Sequence, residues 1–585
     1  MDSENNIVVY GYREIYGTDG GGLERIKREM SNYNLYAALM LLSQMEHQLL
    51  QDDPIKVTAQ NKLIKEFFDK PIIQKIANIA AQHRQEDGRL RKQAIFSQQQ
   101  ILILFKLALE SCSPNEGIDM TGDNFTQIGT WCLIVNDVIT AVARQVPALL
   151  TNPNDPELES VRQYMARQGF YYAHSSLVGQ WVRYYRIYQI ARTVPEAKRL
   201  HPHKYFPKAT NGVGVDSYLA IIFPLIAQWA VQHQPYDLKT EWFIVPESKF
   251  SKTTLQKRKL QRVMDFLSID ATDFPKHYKS LLQETMSDID NYAYNFLAFS
   301  AKPLLKGQDR LICPSPQHLV DRVTEGLYWI LENYFKVNKM QTERAAWSSI
   351  WGQAFERYIN RRLKSALGQQ YYANWPNLQH EKADGIWDAD KMVFIFEIKY
   401  AHWQVKAKAT GSRQDMAPTL KQLFSSSKKA KGLGQVARNL DQLAQGKWSL
   451  PSPLNGRRIV PVLVVGEEMP IEPLNRYYYD EVAKNAGAIP GSQLADPFII
   501  LTAEDIELLE TLIVKKGALE AEKILTHFAQ LHKTINANGF RYEARAGFKN
   551  FLFANKLVDF DNAYIKAEYD KIGAHVKQKL FKRSR

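Results

Sequence analysis

Asp384, Glu397 and Lys399 are the residues of this chain whose types and spacing can do chemistry together. Glu397 and Lys399 close the run MVFIFEIK at 392–399, whose other side chains suit a sheet buried on both faces. In a strand, positions two apart share a face, so the carboxylate and the ammonium point the same way. A buried or half-buried charge is costly unless it has a partner or a metal, so a Glu-x-Lys pair at the end of such a run needs an explanation. Asp384 sits on what reads as the preceding strand, and 388–391 is a polar hairpin turn between the two. Pairing across that turn brings Asp384 near Glu397.

Several elements must position these groups. Trp347, Ile350, Trp351, Phe355, Tyr358 and Ile359 recur at helical spacing, with Glu356 on the edge of the stripe. Residues 432–445 read as a second helix, with Val436, Leu440 and Leu443 inward and Gln435, Arg438, Asn439 and Gln442 on an adjacent face. Residues 458–466 (RIVPVLVVG) are another buried strand. An Asp-Gly is also a turn signal, and Glu-x-Lys pairs are common on solvated strands. It is the combination, in this order, that singles the stretch out.

The order helix, hairpin, Glu-x-Lys strand, helix, strand resembles the PD-(D/E)XK nuclease superfamily, the core shared by many restriction, repair and anti-phage nucleases. Glu356, Asp384, Glu397 and Lys399 carry the resemblance, with Gln435 as a weaker match; Ala383 stands where the family name puts a proline. It covers about the central fifth of the chain and identifies no subfamily. The resemblance implies an α/β restriction-endonuclease-like core, a central mixed sheet flanked by helices.

It also implies a chemistry that asks for these residue types. Hydrolysing a phosphodiester sets an anionic nucleophile against an anionic backbone, so a hard divalent cation is needed to neutralise charge and acidify water. Asp384 and Glu397 would supply oxygens to Mg²⁺, with Mn²⁺ able to substitute, and the backbone carbonyl of Ile398 would lie within reach of the same ion. Lys399 would orient or deprotonate the attacking water and stabilise developing charge. Glu356 would be a ligand through water or to a second metal ion, and Gln435 would position Lys399 or a phosphate.

Composition bounds the rest. The chain has 585 residues, enough for several domains, and its 45% hydrophobic and 11% aromatic content is that of a globular protein. A formal net charge of +13 favours a polyanionic partner. The three cysteines, Cys112, Cys132 and Cys313, are widely spaced without Cys-x-x-Cys, which argues against a disulfide framework or zinc site and fits a reducing cytosol. The first residues, MDSENN, are acidic and polar where a signal peptide would be basic and then apolar. The most apolar run, 218–231, contains Pro224 and Gln228 and is shorter than a membrane span. Gly20–Gly22 lacks the Lys-Ser/Thr of a phosphate loop, so no NTPase motor is expected.

Residues 22–338 read as mainly helical, with helices expected at 35–50, 55–81, 97–111, 125–150, 157–167, 180–193, 218–234 and 317–334. Basic stretches offer candidate contacts to nucleic acid. Trp181, Arg183, Tyr184, Tyr185, Arg186, Tyr188 and Arg192 interleave aromatics with arginines, but their spacing fits a core-facing helix with solvated arginines better. Residues 252–262 (KTTLQKRKLQR) fit a solvated helix face at least as well as a backbone grip. Better placed is the insertion after the Glu-x-Lys strand, with Lys406, Lys408, Arg413, Lys421, Lys428, Lys429 and Lys431, followed by Arg438. It reads as a clamp on substrate or as a solvated loop around Ser425–Ser427. Beyond it lie an expected strand at 497–501, a Thr502/Asp505 cap, helices at 506–514 and 520–536, and a basic tail of Lys577, Lys579, Lys582, Arg583 and Arg585.

The expected organisation is a helical region at 1–270, a helical connector at 271–340, the nuclease-like domain at 341–515 and a helical extension with a basic tail at 516–585. The expected function is a cytoplasmic, Mg²⁺-dependent endonuclease of a restriction or anti-phage system. It would act on nucleic acid, DNA ahead of RNA, with room for an activating or targeting protein partner and no membrane role. The alternative is a noncatalytic nucleic-acid-binding or assembly subunit on the same core.

Overall fold

The strand Met392–Lys399 is the centre of a five-stranded sheet. The computed structural model describes residues 8–51, 57–82, 93–141, 163, 177–231, 257–282, 292–293, 295–307, 311–374, 383–401, 403, 405–424, 432–467, 498–538, 547–558 and 562–581. They fall into two compact units. Residues within Met1–Ala148, Thr210–Val323 and His575–Arg585 make the first, and those within Leu149–Ala209 and Thr324–Ala574 the second. The division is not a linear one: it passes through the 1–270 region, the 271–340 connector and the 516–585 extension.

Besides the short helices Ala197–Leu200 and Pro202–Ala209, the second unit holds, in chain order, α1 (Leu177–Ala191), α2 (Glu325–Val337), α3 (Gln341–Leu367), β1 (Tyr372–Ala373), β2 (Gly385–Asp388), β3 (Met392–Lys399), α4 (Val405–Thr410), α5 (Arg413–Phe424), α6 (Leu433–Ala444), β4 (Arg458–Val465), β5 (Ile499–Thr502), α7 (Ala503–Lys516), α8 (Ala518–Asn538), α9 (Phe548–Ala554) and, as far as Ala574, α10 (Ala563–Phe581). The sheet order is β5-β4-β3-β2-β1; β3, β4 and β5 are parallel, and β2 runs antiparallel to both β3 and β1. β3 and β4 pair along their whole length, from Met392 opposite Arg458 to Lys399 opposite Val465. Pro461 stands inside β4, but β5 joins only from Val462, so the proline falls where that edge is unpaired and its missing N–H is tolerated.

Alternation sorts the two faces. Ile386, Val393, Ile395 and Ile459 pack against Val436 and Leu440 of α6, and Leu463 and Val465 pack against Ala407, Met416, Leu420 and Leu423 of α4 and α5. On the other face Trp387 stacks on Phe394 at 4.9 Å, Tyr372 meets Phe396 at 6.1 Å, and Tyr372 hydrogen-bonds to Asn360 of α3. The sheet is therefore mixed and covered on both faces by helices, as expected.

Two details depart from the sequence reading. The insertion after β3 forms α4 and α5, so 405–424 is not a solvated loop: its apolar residues sit at helical spacing and bury against β4. The arginines of α1 are not all solvated either. Arg183 is buried and bidentate to Glu507 of α7, at 2.7 and 2.8 Å, and Arg186 pairs with Glu568.

The hairpin between β2 and β3 is held from outside. The Glu522 carboxylate of α8 accepts the backbone N–H groups of Lys391 (2.6 Å), Met392 (2.8 Å) and Asp390 (3.2 Å). Glu522→Ala is expected to lower unfolding free energy by about 2 kcal/mol, because hydrogen bonds to a buried carboxylate are lost together. Urea unfolding with no change in midpoint would contradict this.

The first unit is helical with two small sheets that periodicity did not signal: Val8–Val9 beside Gln93–Ala94, and Ser268–Asp270 with Leu304–Lys306 and Leu311–Ile312. Ser97 caps Gln98–Ser111 with a capping box. The helix expected at 55–81 is two, Val57–Phe67 and Lys70–Gln82, because Asp69 caps the second by accepting the N–H of Ile72 at 3.0 Å. That expected at 317–334 is Pro316–Val323 and Glu325–Val337, broken at buried Thr324. The helix expected at 157–167 lies outside the described residues apart from Gln163. Basic residues 257–262 lie on Lys257–Leu267, which buries Val263, Met264 and Leu267 and exposes Lys257 and Arg258.

Glu46 and His47 are both buried on Leu35–Gln51. Burial pushes the Glu46 carboxyl up to about 8 and pulls the His47 imidazole down to about 3. Glu46 is thus neutral when folded at low pH. Its contribution to stability is complete below the unfolded carboxylate value of 4.5 and is lost as pH rises through about 8. His47 has the opposite sign, stabilising above 6.5 and losing that as pH falls. Glu46→Gln should flatten the decline of melting temperature between pH 4.5 and about 8; a profile parallel to that of the unsubstituted protein would refute the assignment.

Candidate active site

Register brings the acidic residues together. Gly385 pairs with Phe396, so Asp384, one residue before β2, lies opposite Glu397. Asp384 Oδ2 accepts the backbone N–H of Ile398 at 2.7 Å and faces Lys399 Nζ at 3.4 Å. Lys399 Nζ also pairs with Glu397 Oε1, so the ammonium joins the two carboxylates. Side-chain exposure runs from 0% at Glu397 through 13% at Asp384 to 22% at Lys399, which puts the open side of the cluster at the lysine. Along an extended strand a residue's N–H and C=O point to the same edge, so the Ile398 carbonyl faces the Asp384 side as well.

Glu356 of α3 is half-buried and within the field of Asp384 and Lys399. Burial first, and then Asp384, raise its carboxyl to about 7. Burial raises Glu397 to about 8 against the opposing pull of Lys399. Burial alone would lower Lys399, but Glu397 and Asp384 outweigh it and hold the ammonium above its ordinary range. The lysine is a firm cation among carboxylates that burial makes reluctant to ionise.

Glu397 Oε2 is buried and has no hydrogen-bond partner among the described residues. Such an atom is costly unless a cation or a proton satisfies it. No group of three or more His, Cys, Asp or Glu side chains among the described residues is close enough to cage an ion. Mg²⁺ does not ask for that: it binds through one or two carboxylates, waters and substrate phosphates. Asp384 and Glu397, with hard oxygen donors and one orphaned buried oxygen, fit it.

Other expected residues fall variously. Gln435 is half-buried in the first turn of α6 and makes no hydrogen bond to Lys399; one turn on, Asn439 is buried with both amide atoms unpartnered among the described residues. Lys408 pairs with Glu467 at 2.8 Å. Lys421 is exposed on α5, and Arg413 and Arg438 are half-buried. Lys428, Lys429 and Lys431 lie outside the described residues, as does the side chain of Lys406; so do Lys582, Arg583, Arg585 and the side chain of Lys579. Compared with protein-family models, curated proteins and solved structures, the chain matches none. The geometry therefore carries the functional argument.

Sequence reasoning missed Tyr372 and Asn360. The Tyr372 hydroxyl is buried, donates to Asn360 Oδ1 and lies within the field of Asp384 and Glu356. Its signals were faint: Asn360 is one turn beyond Glu356, and Gly385 directly follows Asp384. A Cβ at Gly385 would collide with the Tyr372 hydroxyl. Gly385→Ala is expected to cost about 2 kcal/mol, in the range of overpacking, and to shift Asp384. An unchanged melting temperature would contradict this close approach.

Proposed function

We propose that the second unit is a metal-dependent nuclease that hydrolyses phosphodiester bonds, a DNA endonuclease of the restriction or anti-phage kind. The observation that carries the reading is the convergence of Asp384, Glu397 and Lys399 at the carboxyl end of β3, with Glu356 beside them. The sheet order and the placing of α3 and α6 on opposite faces support a PD-(D/E)XK-like core. The defence role rests on analogy with that superfamily alone.

Asp384 and Glu397 would hold Mg²⁺, with the Ile398 carbonyl on the same side and Glu356 beside them. The ion, when bound, neutralises phosphate charge and acidifies a water. The chain's own groups do the rest. The Ile398 N–H fixes the orientation of Asp384. Lys399, held charged by two carboxylates, acts as an orienting donor and a stabiliser of phosphorane charge rather than as the base. Glu356, half-buried beside the pair, would serve as a ligand through water or to a second ion.

The test is to incubate the protein with plasmid, linear duplex, single-stranded DNA and RNA in Mg²⁺, Mn²⁺ or EDTA. Cutting that requires metal and disappears in Asp384→Asn supports the reading. Binding without cutting in either metal favours the noncatalytic subunit.

A further inference from the structure

A basic surface runs beside the cluster along the outer side of α3. Arg357, Arg361 and Lys364 are spaced four and three apart, so they form one stripe, adjacent to the stripe that carries Glu356 and Asn360. Arg361 and Lys364 are exposed, Arg357 is half-buried, and none of the three has an ion-pair partner among the described residues. Their neighbour Arg362 points elsewhere, into a buried contact with Glu510 and the Tyr564 ring.

The helix Ala197–Leu200 packs against α3 and extends the surface. Glu196 accepts a hydrogen bond from Gln353 of α3 and lies in the field of both Arg357 and Arg199, which ties the two elements together electrostatically. Lys198 and Arg199 are exposed. Between Arg192 and Lys208 the chain has Arg192, Lys198, Arg199, Lys204 and Lys208 against the single acid Glu196. Like charges gathered this way repel, and Glu196 is the one acid of that stretch set against them. A polyanion offsets that repulsion. Arg357 to Lys364 covers about 10 Å of helix axis at 1.5 Å per residue, comparable to about three phosphates of one strand at 3.4 Å each.

We propose that this surface, centred on Arg199, Arg357, Arg361 and Lys364, binds the phosphate backbone of a duplex DNA substrate and leads it to Glu356 and the cluster beyond. The proposal rests on the nuclease reading for its substrate and assigns the binding face to α3 and Ala197–Leu200 rather than to the lysines after β3.

The experiment is fluorescence anisotropy of a short labelled DNA duplex in EDTA, titrated at several salt concentrations. It compares the full chain with Arg199→Gln/Arg361→Gln/Lys364→Gln. A second variant, Lys391→Gln/Lys447→Gln/Lys516→Gln, removes three exposed lysines outside this surface. Each phosphate contact contributes about 0.9 to the slope of log affinity against log salt, so the first variant should be shallower by about 2 to 3 and the second unchanged. Melting temperatures of both variants near that of the unsubstituted chain show that the fold is kept. A folded first variant with unchanged slope overturns the surface, as does an equal loss in the second. Cleavage by the unsubstituted chain is scored separately in Mg²⁺. Cutting with an unchanged variant slope removes the surface and leaves the nuclease. A shallower slope without any cutting supports the surface and removes the nuclease. No duplex binding by the unsubstituted chain removes the surface.

Discussion

Lys399→Met is expected to leave a folded protein whose metal-dependent cleavage is reduced about 10³-fold, the scale of losing a preorganised charge at a reacting phosphate. The ammonium links Asp384 and Glu397, and burial makes Glu397 ready to take a proton once that cation is gone. Neutralisation spares the fold a naked buried charge, so activity should fall much further than stability. Lys399→Arg keeps the charge and should retain more activity than Lys399→Met. Single-turnover cleavage measures both, and a Met variant within a few-fold of the unsubstituted rate would remove Lys399 from the reaction.

Glu507→Ala is expected to cost about 3 to 5 kcal/mol, the penalty of leaving a buried arginine without its partner. Glu507 accepts two hydrogen bonds from Arg183 and one at 2.7 Å from the Tyr358 hydroxyl, and its own backbone carbonyl accepts from Asn562 at 2.9 Å. Through that one carboxylate α1 and α7 are joined to α3, the helix that presents Glu356. Arg183→Met/Glu507→Leu removes both charges and should recover most of the loss, since an apolar pair of similar volume avoids the desolvation cost. Thermal and urea unfolding of the three proteins decide this. A single substitution costing under about 1 kcal/mol, or a double no better than the single, would show that the pair does not hold these helices.

How far the sequence could be read depended on whether the signal was local. β3 and β4 were legible because each is an almost unbroken apolar run, and Glu397 and Lys399 because two charges interrupt the first. The Asp384 to Glu397 juxtaposition followed from the hairpin, whose turn chemistry lies within a few residues. The staple on that hairpin was not legible, because Glu522 comes from a helix far along the chain. Nor was the place of α1, whose Arg183 is buried only because Glu507 meets it. In α4 and α5 the lysines drew attention away from Ala407, Met416, Leu420 and Leu423, whose spacing would have signalled helices. β1 is two residues long, too short for periodicity to register, and with it Tyr372 and its bond to Asn360 went unseen.

The chemistry stands on Asp384 and Glu397 holding a hard divalent cation, and calorimetric titration of the purified protein with Mn²⁺ near pH 8 tests that without needing the right substrate or an activating partner. Saturable binding by the unsubstituted chain, competed by Mg²⁺ and abolished in Asp384→Asn/Glu397→Gln, is the expected result. No binding at millimolar Mn²⁺, or equal binding by the double variant, would contradict it.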